Sequence, residues 1–78
     1  MSKENLITQI KKNSSEVYRI YEKEYEGYKF IDVRIYYMDR KSGEYKPTKK
    51  GISIMPNNAG EIIEGILKAM EQMGFSKE

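Results

Sequence analysis

An eleven-residue segment with the pattern of a β-strand constrains the fold of this chain most. Residues 28–38 are YKFIDVRIYYM, and β-branched and aromatic residues, which are enriched in strands, fill most of the segment. Successive strand side chains point to opposite faces, so one face would carry the aliphatic residues together with Tyr37. We expect that face to meet a helix. The other face mixes aromatic residues with Asp32 and Arg34, and such a mixed face suits contact with a partner.

Turn-forming residues divide the neighbouring segments into further strands. Glu26-Gly27 predicts a tight hairpin turn before the long strand, and Gly43 lies in a second hairpin loop after it. Pro47 has no N–H to donate, so the return strand should lie at a sheet edge or a bend. The sequence predicts four strands, which comprise residues 17–24, residues 28–38, a return strand that begins with residues 44–46, and residues 51–54.

Helical patterns flank these strands. Leu6, Ile7 and Ile10 would share one face of a helix over residues 3–12, so we predict an N-terminal arm or short helix over residues 1–15. We expect this arm to be dispensable for folding. At the other end, apolar residues recur at helical spacing from Asn57 to Met73. Pro56 is a favoured first helical residue, and Gly74 is a natural stop.

The predicted fold class is α+β. A four-stranded curved antiparallel sheet is followed by one C-terminal helix, with a short N-terminal helical arm. The apolar stripe of the C-terminal helix is wider than one sheet would cover, and a chain of 78 residues is marginally stable alone. We therefore expect residues 16–78 to form a dimerisation domain about a two-fold axis. The predicted homodimer interface consists of Ile62, Ile66, Met70 and Met73.

The composition excludes several kinds of chemistry. The chain has no cysteine and no histidine, so thiol and imidazole catalysis and the usual zinc ligands are excluded. Glu61 and Glu64 lie three residues apart on the predicted helix, without a third ligand nearby in sequence. We predict no enzymatic activity, no metal and no cofactor.

The sequence also bears on location. No apolar run approaches the ~18 residues of a membrane span, and the N-terminus lacks the apolar stretch of a signal peptide. We expect an intracellular protein without a membrane partner, in the cytoplasm or nucleoid of a bacterium or phage-infected cell, or in the nucleus if the source is eukaryotic.

Positive charge is concentrated beside the tyrosine-bearing strands. The net charge is only +2, but residues 40–50 carry five basic side chains and one acidic one. Aromatic residues that stack on bases, next to lysines and arginines that contact phosphates, are typical of single-strand binding. Aromatic packing within the sheet and a solvated turn are the alternative explanations of these residues. A protein-interaction module that contacts a polymerase or recombination factor is the alternative function, and RNA could replace DNA as the ligand.

Three segments resemble the core of the transcriptional positive cofactor four family. They are FIDVRIYYMD at 30–39, GEYKP at 43–47 and KKGISI at 49–54. The resemblance extends from about Val17 to Met73. The sequence does not show the Ser- and Lys-rich tail of the eukaryotic coactivator, and in this it resembles tail-less bacterial or phage relatives. It implies a homodimer of curved sheets joined through C-terminal helices. Each sheet would form a channel for single-stranded DNA, and the protein would serve transcription, replication, recombination or repair together with proteins of those processes.

The resemblance also implies roles for individual residues. Tyr25 matches a base-stacking Phe, Tyr37 a stacking Trp and Arg34 a strand arginine, whereas Tyr28 replaces a lysine and would add stacking. The nucleic-acid-binding residues implied in this way are Lys23, Tyr25, Tyr28, Arg34, Tyr37, Lys46, Lys49, Lys50 and Gly51. By strand alternation, Tyr37 lies on the aliphatic face, so a bulge near residues 35–36 would be needed to bring it onto one surface with Arg34.

Overall fold

A computed structural model describes residues 2–75 of the chain, which form one antiparallel sheet and one helix. The strands are β1 Ser2–Lys11, β2 Glu16–Tyr25, β3 Tyr28–Asp39 and β4 Glu44–Ile54, and the helix is α1 Pro56–Gln72. The strands follow one another in space in the order β1-β2-β3-β4. The predicted class, a four-stranded antiparallel sheet followed by one C-terminal helix, is confirmed.

The hairpin of β2 and β3 is the regular centre of the sheet. Glu26 has φ +50° and Gly27 has φ +84°, which is the geometry of a two-residue turn whose twist matches that of the flanking strands. The register runs without a shift from the pair Tyr25 and Tyr28 to the pair Glu16 and Tyr37. The predicted turn at Glu26-Gly27 is therefore confirmed.

The N-terminal segment is a strand, so the prediction of a helical arm is wrong. Residues 2–11 form β1, which pairs antiparallel with β2 and belongs to the same sheet as the rest of the chain. The pairing shifts register between Leu6 and Thr8, and this irregularity at Ile7 lets closely spaced apolar residues occur in a strand. A three-turn helix is marginal in water, whereas the edge of β2 offers a row of backbone hydrogen bonds.

The last two predicted strands are one irregular strand, β4. Between the pair Arg34–Gly51 and the pair Tyr36–Pro47, one residue of β3 faces three residues of β4. The Thr48 hydroxyl holds this irregular segment together, because it donates to the Ile35 carbonyl at 2.7 Å and accepts from the Lys50 N–H at 3.1 Å. As predicted for Pro47, β4 lies at a sheet edge.

Strand alternation gives the sheet two different faces. The tyrosine face carries five of the seven tyrosines, which are Tyr21, Tyr25, Tyr28, Tyr36 and Tyr45. The aliphatic face carries Ile20, Ile31, Val33, Ile35, Ile52 and Ile54 together with Tyr18 and Tyr37.

Both faces of the sheet contain buried side chains, although the sequence pattern of the mixed face did not indicate a core face. Val17, Asp32 and Tyr36 on the tyrosine face are 2–6% exposed, and on the aliphatic face Ile54 is 9% exposed whereas Ile52 is 54% exposed. On the tyrosine face, long cationic side chains cover part of the buried surface, as Arg19 lies over the Tyr36 ring.

The C-terminal helix has the predicted ends but an exposed apolar stripe. Pro56 begins it, and Gly74 at φ +84° ends it, with the Phe75 N–H donating to the Met70 carbonyl at 2.8 Å. α1 contacts β3, yet none of its side chains is buried. Of the predicted interface residues, Ile62 and Met70 are half-buried, whereas Ile66 and Met73 are 56% and 68% exposed. Within residues 2–75, no helix has the length and apolar character of a membrane span.

Candidate nucleic-acid interface

Two exposed tyrosines form the outer end of the tyrosine face. Tyr25 and Tyr28 are directly opposite each other where β2 turns into β3, and they are 57% and 71% exposed. Directly opposed residues have neighbouring Cβ atoms on the same face, so the two rings extend from adjacent positions and together define an aromatic patch. Exposed rings held on a hairpin can stack on nucleic-acid bases whatever the base sequence.

A buried carboxylate organises the cations next to this patch. Asp32 is 2% exposed and accepts two hydrogen bonds of 3.0 Å from the Arg34 guanidinium and one of 3.2 Å from the Ser53 hydroxyl. The Lys23 ammonium lies 3.8 Å from the same carboxylate and 3.8 Å from that of Glu4. Burial by itself raises the pKa of Asp32, but the Arg34 hydrogen bonds and the Lys23 charge outweigh it and leave the pKa below its ordinary value.

Arg34, a predicted phosphate contact, therefore also forms hydrogen bonds that stabilise the sheet. Besides its two bonds to Asp32, its Nη1 donates to the Thr48 carbonyl at 3.0 Å, which ties β3 to the irregular segment of β4. Its side chain is 21% exposed, as is that of Lys23. Part of each cation remains open to solvent on the tyrosine face, so each can meet a phosphate only through that open part.

The basic residues of β4 are divided between different surroundings. Lys49 and Lys50 are exposed within the irregular segment, and neither forms an ion pair with a carboxylate of residues 2–75. Lys46 lies on the aliphatic face, with its ammonium 3.2 Å from the Asp39 carboxylate. Of the predicted β4 cations, Lys49 and Lys50 are thus the ones without a carboxylate partner among residues 2–75.

Gly51 has a structural reason to be glycine. A Cβ at this position would lie 2.6 Å from the Val33 carbonyl oxygen and 2.8 Å from the Arg34 Cα, and both contacts are shorter than real Cβ atoms show. Only a residue without a side chain lets β4 approach β3 this closely beside Arg34.

Tyr37 does not join the predicted residues Tyr25, Tyr28 and Arg34 on the tyrosine face. A register shift does occur next to Ile35, where a bulge was needed to bring Tyr37 and Arg34 together, but its extra residues lie in β4. The pairing of β2 with β3 is unbroken there, so Tyr37 remains on the aliphatic face beside Lys46. It also lies nine residues from Tyr28, about 30 Å along β3. In a single chain, Tyr25 and Tyr37 therefore belong to separate surfaces.

One cation in the middle of the tyrosine face was missed by sequence reasoning. The Arg19 guanidinium carbon lies 4.9 Å from the ring centre of Tyr36 and 5.2 Å from that of Tyr45. The Tyr21 ring is 5.7 Å from the Tyr36 ring, and burial raises the pKa of Tyr36 to about 12, so this phenol stays neutral. Alternation along β2 places Arg19 with Lys23 and Tyr25, and this parity was the available signal.

Three comparisons identify proteins similar to this one. Residues 12–65 match the family described as Transcriptional Coactivator p15 (PC4). The RNA polymerase II transcriptional coactivator SUB1 of Saccharomyces cerevisiae is 32% identical over 62 residues, which are 76% of this chain and 21% of the yeast protein. The chain thus spans about a fifth of the length of that relative.

Solved structures show the same similarity. The tetragonal crystal form of a PC4 homolog from Burkholderia pseudomallei superposes with a TM-score of 0.80 at 34% identity, covering 86% of this chain and 97% of that one. The orthorhombic form gives 0.78 at 35% identity, with 83% and 86% covered. The family match covers more than half of the chain, and its segments coincide with β2, β3, β4 and the start of α1. The chain therefore belongs to the PC4 family of transcriptional coactivators.

Proposed function

We propose that this protein is a homodimer that binds single-stranded DNA with little sequence preference. It would act inside the cell with the proteins of transcription, replication, recombination or repair. The observation that carries the proposal is the exposed pair Tyr25 and Tyr28 beside a half-buried cationic network on one sheet face. Membership of a coactivator family agrees with a role on nucleic acid in transcription.

The two parts of the tyrosine face would bind different parts of the strand. Bases would stack on Tyr25 and Tyr28, because a stacking surface accepts any base. Phosphates would lie at the open sides of Lys23 and Arg34 and at the exposed Lys49. Lys50 borders a pocket with Val33 and Ile52 of the aliphatic face, so it would contact the strand at the β4 edge of the sheet. We assign Tyr37 and Lys46, which are neighbours on the aliphatic face, to a second contact patch, and Gly51 to shaping the β4 backbone rather than to a contact of its own.

Single strands should bind more tightly than duplexes. Paired bases are stacked on one another and cannot present their faces to Tyr25 and Tyr28. We expect Tyr25→Ala to weaken oligothymidine binding by ~1–3 kcal/mol at any salt concentration. Lys50→Ala should instead make the slope of log K against log salt less negative by about 0.7, because one phosphate contact is lost. Fluorescence anisotropy titrations at several salt concentrations measure both quantities.

Lys68→Ala is the matched charge control for this titration. It removes one exposed positive charge from α1, far in sequence from the sheet cations. If Lys68→Ala changes the salt slope as much as Lys50→Ala does, the Lys50 charge contributes only a general attraction to polyanions and not a specific phosphate contact. A blunt duplex that binds as tightly as oligothymidine of equal length would contradict base stacking. Tighter binding of an oligouridine would favour RNA as the ligand.

The homodimer is proposed from unpaired apolar surface. Ile63, Ile66 and Leu67 on α1 are 41–57% exposed, and Tyr18, Tyr37 and Ile52 on the aliphatic face of the sheet are 37–54% exposed. An exposed stripe this long on a small domain is normally covered by another subunit. We assign the interface to the stripe that carries the predicted residues Ile62, Ile66, Met70 and Met73, and Ile63 and Leu67 widen it.

Ile66→Glu is expected to convert the dimer to a monomer, because it places a charge in the apolar interface. Light scattering coupled to gel filtration should give twice the 9.2 kDa chain mass for the wild type and a lower mass for the variant. Lys68→Glu is the control, since helical spacing places residue 68 on the side of α1 away from Ile66. A folded wild-type monomer of 9.2 kDa would contradict the dimer.

A further inference from the structure

Arg19 is a cation of the tyrosine face whose polar partners are all neutral. Its Nε donates to the Gln9 side-chain oxygen at 2.8 Å, and its Nη1 donates to the Tyr21 hydroxyl at 2.9 Å. No carboxylate of residues 2–75 pairs with it, whereas Lys23 and Arg34 are each paired with Asp32. Its positive charge is therefore not neutralised within the described part of the chain.

The position of Arg19 adds to this imbalance. In the register of β2 and β3, Arg19 lies directly opposite Arg34, and like charges in directly opposed positions destabilise a sheet. The face also carries Lys11 and Lys23, so four cations share it with only two carboxylates, those of Glu4 and Asp32. An anion bound next to Arg19 would relieve this repulsion.

The guanidinium is already held in place by every strand of the sheet. Gln9 of β1, Tyr21 of β2, Tyr36 of β3 and Tyr45 of β4 all contact it. Fixing a flexible cation in advance reduces the entropy lost when a ligand binds. Of the five guanidinium N–H groups, two donate to Gln9 and Tyr21, and no acceptor within residues 2–75 takes the other three.

The remaining N–H groups suit a phosphate in particular. The guanidinium carbon lies close to the ring centres of Tyr36 and Tyr45, and the three N–H groups without an acceptor in residues 2–75 are what remains for a ligand. A planar edge with several N–H groups matches two oxygens of a phosphodiester, and such charge-assisted pairs are the strong ones.

We propose that Arg19 binds a backbone phosphate of the single strand at the centre of the tyrosine face. This assignment rests on the proposed function and extends its site. Arg19 lies six residues from Tyr25, about 20 Å along β2. It also lies in a row across the sheet, from Arg19 through Arg34 to Gly51 on the edge strand β4. The strand then passes from the tyrosine pair along β2 to Arg19 and across the sheet to β4.

The test compares Arg19→Gln with Lys68→Gln, since both variants remove one positive charge. For Arg19→Gln we expect oligothymidine binding about tenfold weaker at low salt, and a salt slope less negative by about 0.7. Lys68→Gln should leave both unchanged. Unchanged affinity and slope in Arg19→Gln would overturn the Arg19 assignment alone, whereas a wild type that does not bind oligothymidine would overturn the proposed function itself.

Two further measurements separate phosphate binding from a purely structural role. Arg19→Lys keeps the charge over Tyr36 but loses the planar edge, so we expect the wild-type slope with several-fold weaker binding. Wild-type affinity in Arg19→Lys would overturn the oriented contact. In the unaltered protein, oligothymidine should shift the side-chain ¹⁵N resonances of Arg19 more than those of the loop residue Arg40. An unshifted Arg19 would overturn the proposal even if the variants fail to fold.

Discussion

Replacing Asp32 with alanine is expected to destabilise the fold by about 3 kcal/mol, because it leaves two cations without their buried partner. Removing one partner of a buried ion pair typically costs ~3–5 kcal/mol. Asp32 is 2% exposed, whereas the Arg34 and Lys23 side chains are each 21% exposed, so water screens part of the lost interaction and we expect a value at the lower end. A chain of 78 residues has a total stability of roughly 4–12 kcal/mol, so the change is a large fraction of it.

Urea unfolding followed by circular dichroism measures this loss directly. Glu22→Ala is the matched control, since Glu22 is an exposed carboxylate on the neighbouring strand and should change stability by less than about 0.5 kcal/mol. Equal stability of the Asp32→Ala variant and the wild type would show that the network around Asp32 does not stabilise the fold.

The same carboxylate makes stability depend on acid pH. The pKa of Asp32 is lower in the folded chain than its ordinary value of 3.8, so the unfolded chain binds the proton more readily. Its contribution is therefore present above that value and is lost as the pH falls through the folded pKa. Asp39 and Glu16 also have lowered pKa values, through hydrogen bonds from the Lys41 N–H and from Asn13 respectively, and contribute in the same direction.

Asp32→Asn should consequently be less stable than the wild type near pH 7 and lose less stability on acidification. Thermal melts of both proteins between neutral pH and about pH 2 would measure this difference in stability, because that pH interval spans the ordinary pKa values of carboxyl groups. An unchanged acid-dependent loss in Asp32→Asn would assign the effect to the other carboxylates.

Deleting residues 1–11 is expected to lower the melting temperature by ~15 °C or more, or to abolish cooperative unfolding. β1 covers the edge of β2 along its whole length, places Leu6 beside Tyr21, and supplies the Gln9 acceptor for Arg19. Its loss would expose an unpaired strand edge, which also favours aggregation. This expectation replaces the prediction that the N-terminal segment is dispensable.

Ile7→Thr is the control for that deletion. Ile7 lies at the register shift of β1 and is 57% exposed, so the substitution should change stability by no more than about 0.5 kcal/mol. A melt of the deleted protein within a few degrees of the wild type would show that β1 is not part of the cooperative unit.

The sequence by itself determined the features that depend on a few neighbouring residues. Backbone sterics at Glu26-Gly27 specify the central hairpin, and Pro56 and Gly74 specify the ends of α1. Alternation along β3 then predicted one aliphatic and one mixed face, and the hairpin turn brought Tyr25 opposite Tyr28 on the mixed face. The fold class followed from these local features, as did the resemblance to the family.

Only the tertiary structure decided what depends on partners across strands. The spacing of Leu6, Ile7 and Ile10 fits a helix or a bulged strand equally well, and the free edge of β2 decides for the strand. The register shift would have placed Tyr37 on the tyrosine face only if β3 carried the extra residues. They lie in β4, so Tyr37 stays on the aliphatic face. The surroundings of Arg19 come from all four strands, so no local pattern contained them. Turn sterics act between adjacent residues, whereas register fixes which distant side chains meet, and register is set by the whole sheet.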